Sequence, residues 1–141
     1  MPGYSGTPLP KKLGIKEGLR FAQLRMPADV KKELKQSLSG CAVSPIKRGA
    51  LDFVFLFAKS VKELEGDMPG AARALSPTGM LWVAWPKKSS GVATDLSENA
   101  IRDCGLELGL VDIKVCAVTD IWSGLKFVIP VQDRAKREAR G

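Results

Sequence analysis

The residues with the clearest capacity for binding chemistry follow an apolar run at residues 80–85. This run, MLWVAW, ends at a proline and opens into two lysines, two serines and a glycine: Lys87, Lys88, Ser89, Ser90 and Gly91. Lysine ammoniums, serine hydroxyls and backbone amides ahead of a helix are groups that hold an anion. The stretch lacks the glycine spacing and the GK[ST] ending of a P-loop. It is therefore either an anion-binding loop or a solvated surface turn, which is the commoner origin of such stretches.

A second abrupt change, DIWSGLK at residues 120–126, joins two further strand-like runs. Trp122 offers a ring that could stack on a ligand, and Ser123 adds a hydroxyl. A tryptophan between two strands can equally serve as an anchor of the core. The sequence leaves both roles open for Trp122.

The sequence contains no histidine. Without it there is no Ser-His-Asp or Cys-His pair and no histidine-ligated zinc site. The cysteines Cys41, Cys104 and Cys116 are widely spaced and form no Cys-x-x-Cys pattern, so we expect buried thiols, no disulfide framework and no metal site. Lysine, tyrosine and carboxylate chemistry are left, and the sequence names no catalytic residue and no cofactor.

The formal net charge is +7, from 22 basic and 15 acidic residues. Part of this excess lies near the termini, with four basic residues against one acidic residue in residues 1–20 and four against two in residues 132–141. Such a balance favours nucleic acid or acidic surfaces as partners, although solvated charge explains it as well. A basic nucleic-acid or protein-interaction module is therefore an alternative to a small-ligand site.

Apolar periodicity predicts the first half of the chain. Residues 1–18 read as an extended arm because prolines and glycines punctuate them. A first strand at 19–26 precedes a helix that opens at Pro27 and ends before Gly40. Residues 41–45 are either a short strand or a loop, and 52–58 form a strand buried on both faces. Ser60 and Glu63 have capping-box spacing for a helix from Val61, which we expect to break, restart at Pro69 and end near Leu75.

The second half is predicted in the same way. Residues 76–79 form a turn and 80–85 a buried strand. Asp95 and Glu98 have capping-box spacing for a helix to about residue 108, which Gly109 stops. Residues 111–118 alternate as a half-exposed strand, with Val111, Ile113, Val115 and Ala117 on its apolar face. Leu125, Phe127, Ile129 and Val131 mark a last strand, and Pro130 restricts its end to a sheet edge or exit.

This order predicts an α/β fold: a three-layer, Rossmann-like domain with a mostly parallel sheet and an antiparallel C-terminal strand. The short connection before the last strand requires that strand to run antiparallel. We expect an N-terminal arm over 1–18, a single domain over 19–131 and a charged tail over 132–141. No apolar run approaches the ~20 residues that cross a bilayer, and the N-terminal residues lack the apolar core of a signal peptide. We therefore expect a cytoplasmic protein without a membrane partner.

In open parallel sheets, ligands bind outside the carboxyl ends of the strands. Four segments should meet at this edge: residues 25–29, 59–60, 86–91 and 120–124. The candidate ligand-binding residues are therefore Arg25, Lys59, Lys87, Lys88, Ser89, Ser90, Trp122 and Ser123. The first strand is followed by RMPAD, where a dinucleotide or S-adenosylmethionine site needs a glycine-rich turn, so a cofactor bound in the usual way is disfavoured.

Four motifs carry a resemblance to a known family: YSGTPLPKKLGIKEG, LWVAWPKKSSG, TDLSENAIRDCGLELGLVDIKVCAV and WSGLKFV. Together they resemble bacterial domain-of-unknown-function family 3052 over nearly the whole chain. The resemblance implies no activity, cofactor or catalytic residue. The strand order also looks like a shortened class I methyltransferase topology, with the middle βαβ units reduced and the terminal antiparallel strand kept. Fold alone does not fix function.

Three functions follow as hypotheses. The first is a domain that binds a small anion or a nucleotide-type ligand at the strand ends, without established catalysis. The second is the basic module for nucleic acid or a protein partner. The third, which rests on topology alone, is a degenerate S-adenosylmethionine-dependent methyltransferase.

Overall fold

The computed structural model describes residues 7–46 and 49–139 of the 141-residue chain. Six strands form one sheet: β1 (Arg20–Leu24), β2 (Ala42–Val43), β3 (Leu51–Phe57), β4 (Leu75–Pro86), β5 (Val111–Ala117) and β6 (Trp122–Val128). Their spatial order is β2-β1-β3-β4-β6-β5. Strands β1 to β4 pair in parallel, and β6 runs antiparallel to both of its neighbours. The predicted α/β fold with a mostly parallel sheet and an antiparallel C-terminal strand is confirmed.

In the described part of the chain, five helices accompany the sheet: α1 (Leu9–Leu13), α2 (Ala28–Leu38), α3 (Val61–Ala74), α4 (Glu98–Glu107) and α5 (Arg134–Ala139). Helices α1 and α2 bury their apolar side chains in one core, and α3 and α4 bury theirs in a second core on the opposite side. The sheet between the two cores completes a three-layer sandwich. No helix among residues 7–46 and 49–139 is both long and apolar enough to cross a membrane.

Strand β3 lies in the middle of the sheet and is buried on both faces, as its continuous apolar run predicts. Phe53, Phe55 and Phe57 project to the α1 and α2 side, where their rings contact one another at centroid distances of 5.9 and 4.4 Å. Val54 and Leu56 face α3 on the other side. Each such buried side chain stabilises the fold by about 1.5–3 kcal/mol relative to an exposed one.

The predicted extended arm is wrong over α1. Leu9 and Leu13 are buried against the sheet, and the indole Nε1 of Trp82 donates a hydrogen bond of 2.9 Å to the carbonyl oxygen of Leu13. This burial stabilises a five-residue helix, which Gly14 ends with φ of 84°. Residues 1–6 of the predicted arm lie outside the described residues. The open choice at residues 41–45 resolves to the short strand β2.

The predicted break in the second helix and the predicted turn at 76–79 are both wrong. Helix α3 continues through Pro69, and β4 begins directly after it at Leu75. An internal proline costs a helix about 3 kcal/mol, but Met68, Ala71 and Ala72 are buried against the sheet and offset this cost. Gly79 lies within β4, where a Cβ would be 2.6 Å from the carbonyl oxygen of Leu51 on β3, so a larger residue would not fit.

Helix α4 begins two residues later than the capping-box spacing predicts. Ser97 is its N-cap, and its Oγ accepts a hydrogen bond of 3.1 Å from the backbone N–H of Ala100. Asp95 instead accepts a bond of 2.8 Å from the N–H of Val61 at the start of α3. The chain leaves α4 through Gly109, whose φ of 81° confirms the predicted stop.

Strand β5 is the edge of the sheet, and its predicted apolar face is not buried. Ile113 and Val115 are 54% and 51% exposed, whereas Cys116 packs against the α1 and α2 core. A bulge between Asp112 and Lys114 shifts the alternation by one residue, which the sequence pattern cannot show. Beyond β6, Val131 is exposed in a 3₁₀ turn rather than aligned with the strand. Further along the chain, the side chain of Arg137 on α5 donates a hydrogen bond to the carbonyl oxygen of Leu75.

Candidate binding cleft

The carboxyl ends of β1 and β3 meet the first residues of β6 at one edge of the sheet. They border a cleft of about 420 Å³, which we call the strand-end cleft. This volume is within the range of small-molecule sites. Its lining residues are Arg25, Pro27, Asp29, Phe57, Ala58, Lys59, Glu63, Val92, Ile121 and Trp122.

The structure brings only some of the predicted site residues together. Arg25, Lys59 and Trp122 line the strand-end cleft. The other candidates do not: Lys87, Lys88, Ser89, Ser90 and Ser123. The lysine and serine loop (residues 87–91) does not line the cleft itself, but Val92, the apolar residue that follows it, does.

Arg25 is held by carboxylates of the protein itself. Its Nε donates to Asp67 at 2.8 Å, and its Nη1 lies 3.3 Å from Glu63. The hydrogen bond to Asp67 and the charges of Asp67 and Glu63 raise the pKa of Arg25 above its usual value. The backbone of Arg25 has φ of 61°, a left-handed conformation that is uncommon for a residue with a side chain. The guanidinium is thus engaged within the protein and is not a free anion ligand.

Lys59 is placed differently. Its backbone N–H donates to Glu63 Oε1 at 2.8 Å, which fixes the start of the β3–α3 turn. Its ammonium takes part in none of the ion pairs among residues 7–46 and 49–139. The side chain is exposed and borders the strand-end cleft. Lys59 therefore brings a positive charge to the cleft that the described residues do not pair.

The helix termini at the cleft differ in how their backbone donors are satisfied. At α3, the N–H of Val61 bonds to Asp95 and the N–H of Glu63 bonds to Ser60 Oγ. At α2, Pro27 provides no side-chain cap. Pro27 and Asp29 both border the cleft, so the first turn of α2 opens into it. The partial positive charge of a helix N-terminus favours a negative group at that position.

Trp122 forms an apolar wall of the cleft rather than a stacking platform. It is 5% exposed and packs edge-on against Phe57, with ring centroids 5.1 Å apart and an interplanar angle of 84°. Only a small part of the indole surface can meet a ligand. Of its two predicted roles, core anchor is the one that its packing supports.

The lysine and serine loop is organised by its own hydrogen bonds. Ser90 Oγ donates to the carbonyl of Lys87 at 2.6 Å and accepts from the N–H of Val92 at 3.1 Å. Gly91 has φ of 79°, which allows the turn. The N–H of Lys87 donates to the carbonyl of Ile121 at 2.8 Å and ties the loop to the β5–β6 turn. Lys88 and Ser89 stay exposed outside the cleft.

Sequence analysis missed several lining residues. Asp29 and Pro27 lie in a segment assigned to the correct edge but without a role. Phe57 ends a strand that reads only as core, and Glu63 reads only as a helix cap. Ile121 lies in the predicted edge segment 120–124, again without a role, and Val92 reaches the cleft through loop geometry, which leaves no signal in the sequence. Among the described residues, no group of three His, Cys, Asp or Glu side chains could hold a metal ion.

Solved structures with this architecture are numerous. A methyltransferase from Aquifex aeolicus described as S-adenosylmethionine-dependent superposes with a TM-score of 0.61 at 14% identity, over 84% of this chain and 87% of that one. The fold is the Rossmann-like fold of these methyltransferases. A TehB-like methyltransferase from Corynebacterium glutamicum gives a TM-score of 0.55 at 10% identity, over 86% and 85% of the two chains. The Bacillus subtilis tRNA methyltransferase TrmK gives 0.54 at 12% identity, over 94% and 69%. No family model matches the sequence, and no curated relative matches it.

The residues of the cleft do not fit S-adenosylmethionine bound in the usual way. A Rossmann-like cofactor site needs a glycine-rich turn after β1 so that the backbone can approach the ligand. Here Arg25, Met26 and Pro27 occupy that turn, and the Met26 N–H is bonded to Gln23 Oε1 at 3.0 Å. After β2, Ser44, Pro45 and Ile46 supply no carboxylate for a ribose. The chain has the fold of the methyltransferases without their usual cofactor cradle.

Proposed function

We propose that this protein binds a small ligand with one anionic group, of the nucleotide or phosphate-ester type, in the strand-end cleft. The observation that carries the proposal is the unpaired ammonium of Lys59 beside the first turn of α2, which has no side-chain cap. A negative group between them would meet both a full and a partial positive charge. The proposed activity is binding, and the described residues that line the cleft include no Ser, Thr, Cys or Tyr side chain.

The walls of the cleft suggest the rest of the ligand. Phe57, Val92, Ile121 and Trp122 line it with apolar surface. Asp29 and Glu63 add two carboxylates, so the charges of the lining residues balance. The site therefore suits a ligand of low net charge with an apolar or ring portion, rather than a triphosphate.

The second candidate function is a degenerate methyltransferase, and the fold is the observation that favours it. The occupied turn after β1 argues against it.

We also propose, from the motifs given above, that the chain belongs to the bacterial family of unknown function. Neither proposal adds a residue to the cleft.

A third candidate is the basic module for nucleic acid or a protein partner. TrmK, one of the structural neighbours, is named as a tRNA methyltransferase. The C-terminal arginines proposed for this role are partly engaged: Arg134 donates to the carbonyl of Ile129 and Arg137 to that of Leu75. The terminal segments are thus poor candidates for the whole of such a surface.

The proposed function can be tested by thermal shift and calorimetry with nucleoside monophosphates, phosphate esters and S-adenosylmethionine. We expect Lys59→Ala to lower the affinity for an anionic ligand by at least tenfold, since charge-assisted hydrogen bonds contribute about 1.5–3 kcal/mol. Lys88→Ala is the matched control, because it removes the same charge from an exposed position outside the cleft. A saturating ligand at ~100 times its Kd adds about 2.7 kcal/mol of stability.

Two outcomes would contradict the proposal. Equal effects of Lys59→Ala and Lys88→Ala would show that net charge, and not the cleft, determines binding. Binding of S-adenosylmethionine with unchanged affinity in Lys59→Ala would favour the methyltransferase candidate instead.

A further inference from the structure

The charge of this protein is divided between the two faces of the sheet. Helices α1 and α2 carry five lysines against two acidic residues, namely Lys11, Lys12, Lys31, Lys32 and Lys35 against Asp29 and Glu33. Helices α3 and α4 carry three basic residues, Lys62, Arg73 and Arg102, against six acidic residues, Glu63, Glu65, Asp67, Glu98, Asp103 and Glu107. The helices on one side of the sheet therefore carry a net positive charge, and those on the other side carry a net negative charge.

Three further lysines extend this basic side beyond the helices. Lys114 of β5 and Lys126 of β6 are cross-strand partners, and Lys16 follows α1. Like charges directly opposite each other on neighbouring strands destabilise a sheet. None of the ion pairs among residues 7–46 and 49–139 includes any of the three. The fold thus tolerates an unfavourable cluster of positive charge.

The cluster is held in a fixed arrangement. Lys114 Nζ donates to the carbonyl of Lys12 at 3.0 Å, and Lys12 Nζ donates to the carbonyl of Ala117 at 2.9 Å. The indole of Trp82 holds the end of the same helix through Leu13. Helix α1 and the edge strand β5 are therefore joined by reciprocal lysine bonds. A surface ordered in this way loses less conformational entropy when it binds a partner.

Electrostatic effects agree with this placement. Burial, and then the charges of Lys114 and Lys16, lower the pKa of Lys126. Burial raises the pKa of the nearby Cys116 thiol, while Lys12, Lys114 and Lys87 act in the opposite direction. The ammonium groups are close enough to affect one another.

We propose that this lysine face, defined as Lys16, Lys114 and Lys126 together with the lysines of α1 and α2, binds the phosphate backbone of a nucleic acid. Lysine and phosphate contacts supply sequence-independent affinity for nucleic acid. A stable protein interface needs an apolar centre, and none of the large exposed apolar side chains of the described residues lies on α1 or α2. On β5, Ile113 and Val115 are exposed, but Val115 pairs with Leu125, which belongs to the core on the α3 and α4 side. The chemistry of the face therefore favours nucleic acid over an acidic protein. This inference does not depend on the strand-end cleft.

The test is fluorescence anisotropy with a labelled duplex of about 20 base pairs and with RNA and single-stranded DNA of similar length, between about 50 and 200 mM salt. The test variant of the full chain combines Lys16→Gln, Lys114→Gln and Lys126→Gln. We expect its affinity at low salt to fall by tenfold or more. The slope of log affinity against log salt should become shallower by about 2 to 3, because each lost phosphate contact removes close to one unit.

The matched control combines Lys62→Gln, Lys88→Gln and Lys136→Gln, three exposed positions outside the lysine face. It has the same net charge and should retain most of the affinity and the salt slope. Circular dichroism and a melting curve will show that both variants fold. Equal losses in the two variants would overturn the proposal, because they would reflect net charge alone. Absence of binding at low salt would overturn it too, as would polyglutamate competing as well as unlabelled nucleic acid of equal charge.

Discussion

Gly105 of α4 lies directly over the ring of Phe127 on β6. A Cβ at this position would lie 2.1 Å from Phe127 Cε1, far inside van der Waals contact. We expect Gly105→Ala to force the helix or the ring to move and to lower the free energy of unfolding by about 1–3 kcal/mol, the usual cost of overpacking. Urea denaturation monitored by tryptophan fluorescence measures this change.

Gly66 provides the matched control for Gly105, since it is also a glycine within a helix. A Cβ at Gly66 meets nothing within 4 Å. Gly66→Ala should therefore raise stability by about 0.5–1 kcal/mol, because alanine has the higher helix propensity. If both variants lose stability equally, the close packing of α4 on Phe127 is not what restricts Gly105.

Asp29 is the residue whose removal should improve the proposed site. It lies in the first turn of α2 and lines the strand-end cleft, and no ion pair of the described residues includes it. Its carboxylate repels an anionic ligand, so Asp29→Asn should tighten binding by a few fold, roughly 0.5–1 kcal/mol at the high dielectric of an open cleft. Calorimetry with the tightest-binding ligand from the Lys59 experiment measures this change in affinity. Glu33→Gln, one turn further along α2 and outside the cleft, should change nothing.

At the scale of elements, Asp95 joins two helices that are separate in the sequence. Its carboxylate accepts the N–H of Val61 and satisfies a donor in the first turn of α3, while Ser97 caps α4 two residues later. Asp95→Ala should lower the free energy of unfolding by about 1 kcal/mol, the usual cost of losing a capping acceptor. Thermal and urea denaturation measure it, with Asp103→Ala on the exposed side of α4 as the control. A loss of similar size in Asp103→Ala would point to helix charge instead.

Helix α3 shows which features the sequence predicts and which it does not. Ser60 and Glu63 are three residues apart, and their predicted capping role is confirmed by the bond from the Glu63 N–H to Ser60 Oγ. A capping box is a local pattern, so the sequence contains it. The partner of Asp95 lies 34 residues away, and only the packed fold brings the two together. Pro69 misled the prediction because its local cost is visible, whereas the burial that offsets it is not.

At the candidate site, too, local features can be predicted from the sequence and long-range contacts cannot. Because strand topology is readable from periodicity, the sheet edge and the residues Arg25, Lys59 and Trp122 could be predicted to approach one another. The role of Arg25 could not, since its partner Asp67 lies 42 residues away on α3. The composition of the lysine and serine loop predicts an anion site, but Ser90 bonds within its own turn.

At the scale of the whole molecule, two surfaces with different chemistry lie on one compact sheet. The strand-end cleft is a concave site at the edge, with balanced charge and apolar walls. The lysine face covers one side of the sandwich, and the acidic helices α3 and α4 cover the other. Because the two surfaces share no residue, variants of one should leave the other unaffected. In a protein that combines Lys59→Ala with the triple lysine variant, the affinity for each partner should therefore fall by as much as it does in the variant of that surface alone.

The lysine face should also reduce the stability of the fold at neutral pH. Burial, Lys114 and Lys16 lower the pKa of Lys126 in the folded state. The free energy of unfolding is therefore highest above the unfolded pKa of about 10.4, where Lys126 is neutral in both states, and part of it is lost as the pH falls through the folded pKa. At neutral pH the charged ammonium is therefore unfavourable. Lys126→Gln should be more stable than the unmodified protein at pH 7, and this difference should shrink as the pH approaches about 10.

Urea denaturation of both proteins between pH 7 and 10 measures this difference, and added salt at pH 7 should reduce it by screening Lys114 and Lys16. Lys136→Gln, on α5 and exposed, is the control and should show no such trend. The same Lys126→Gln change should weaken nucleic-acid binding, so that stability and affinity move in opposite directions. A variant that loses stability at pH 7 would instead make Lys126 a structural residue, because its aliphatic stem would then contribute more to packing than its charge costs.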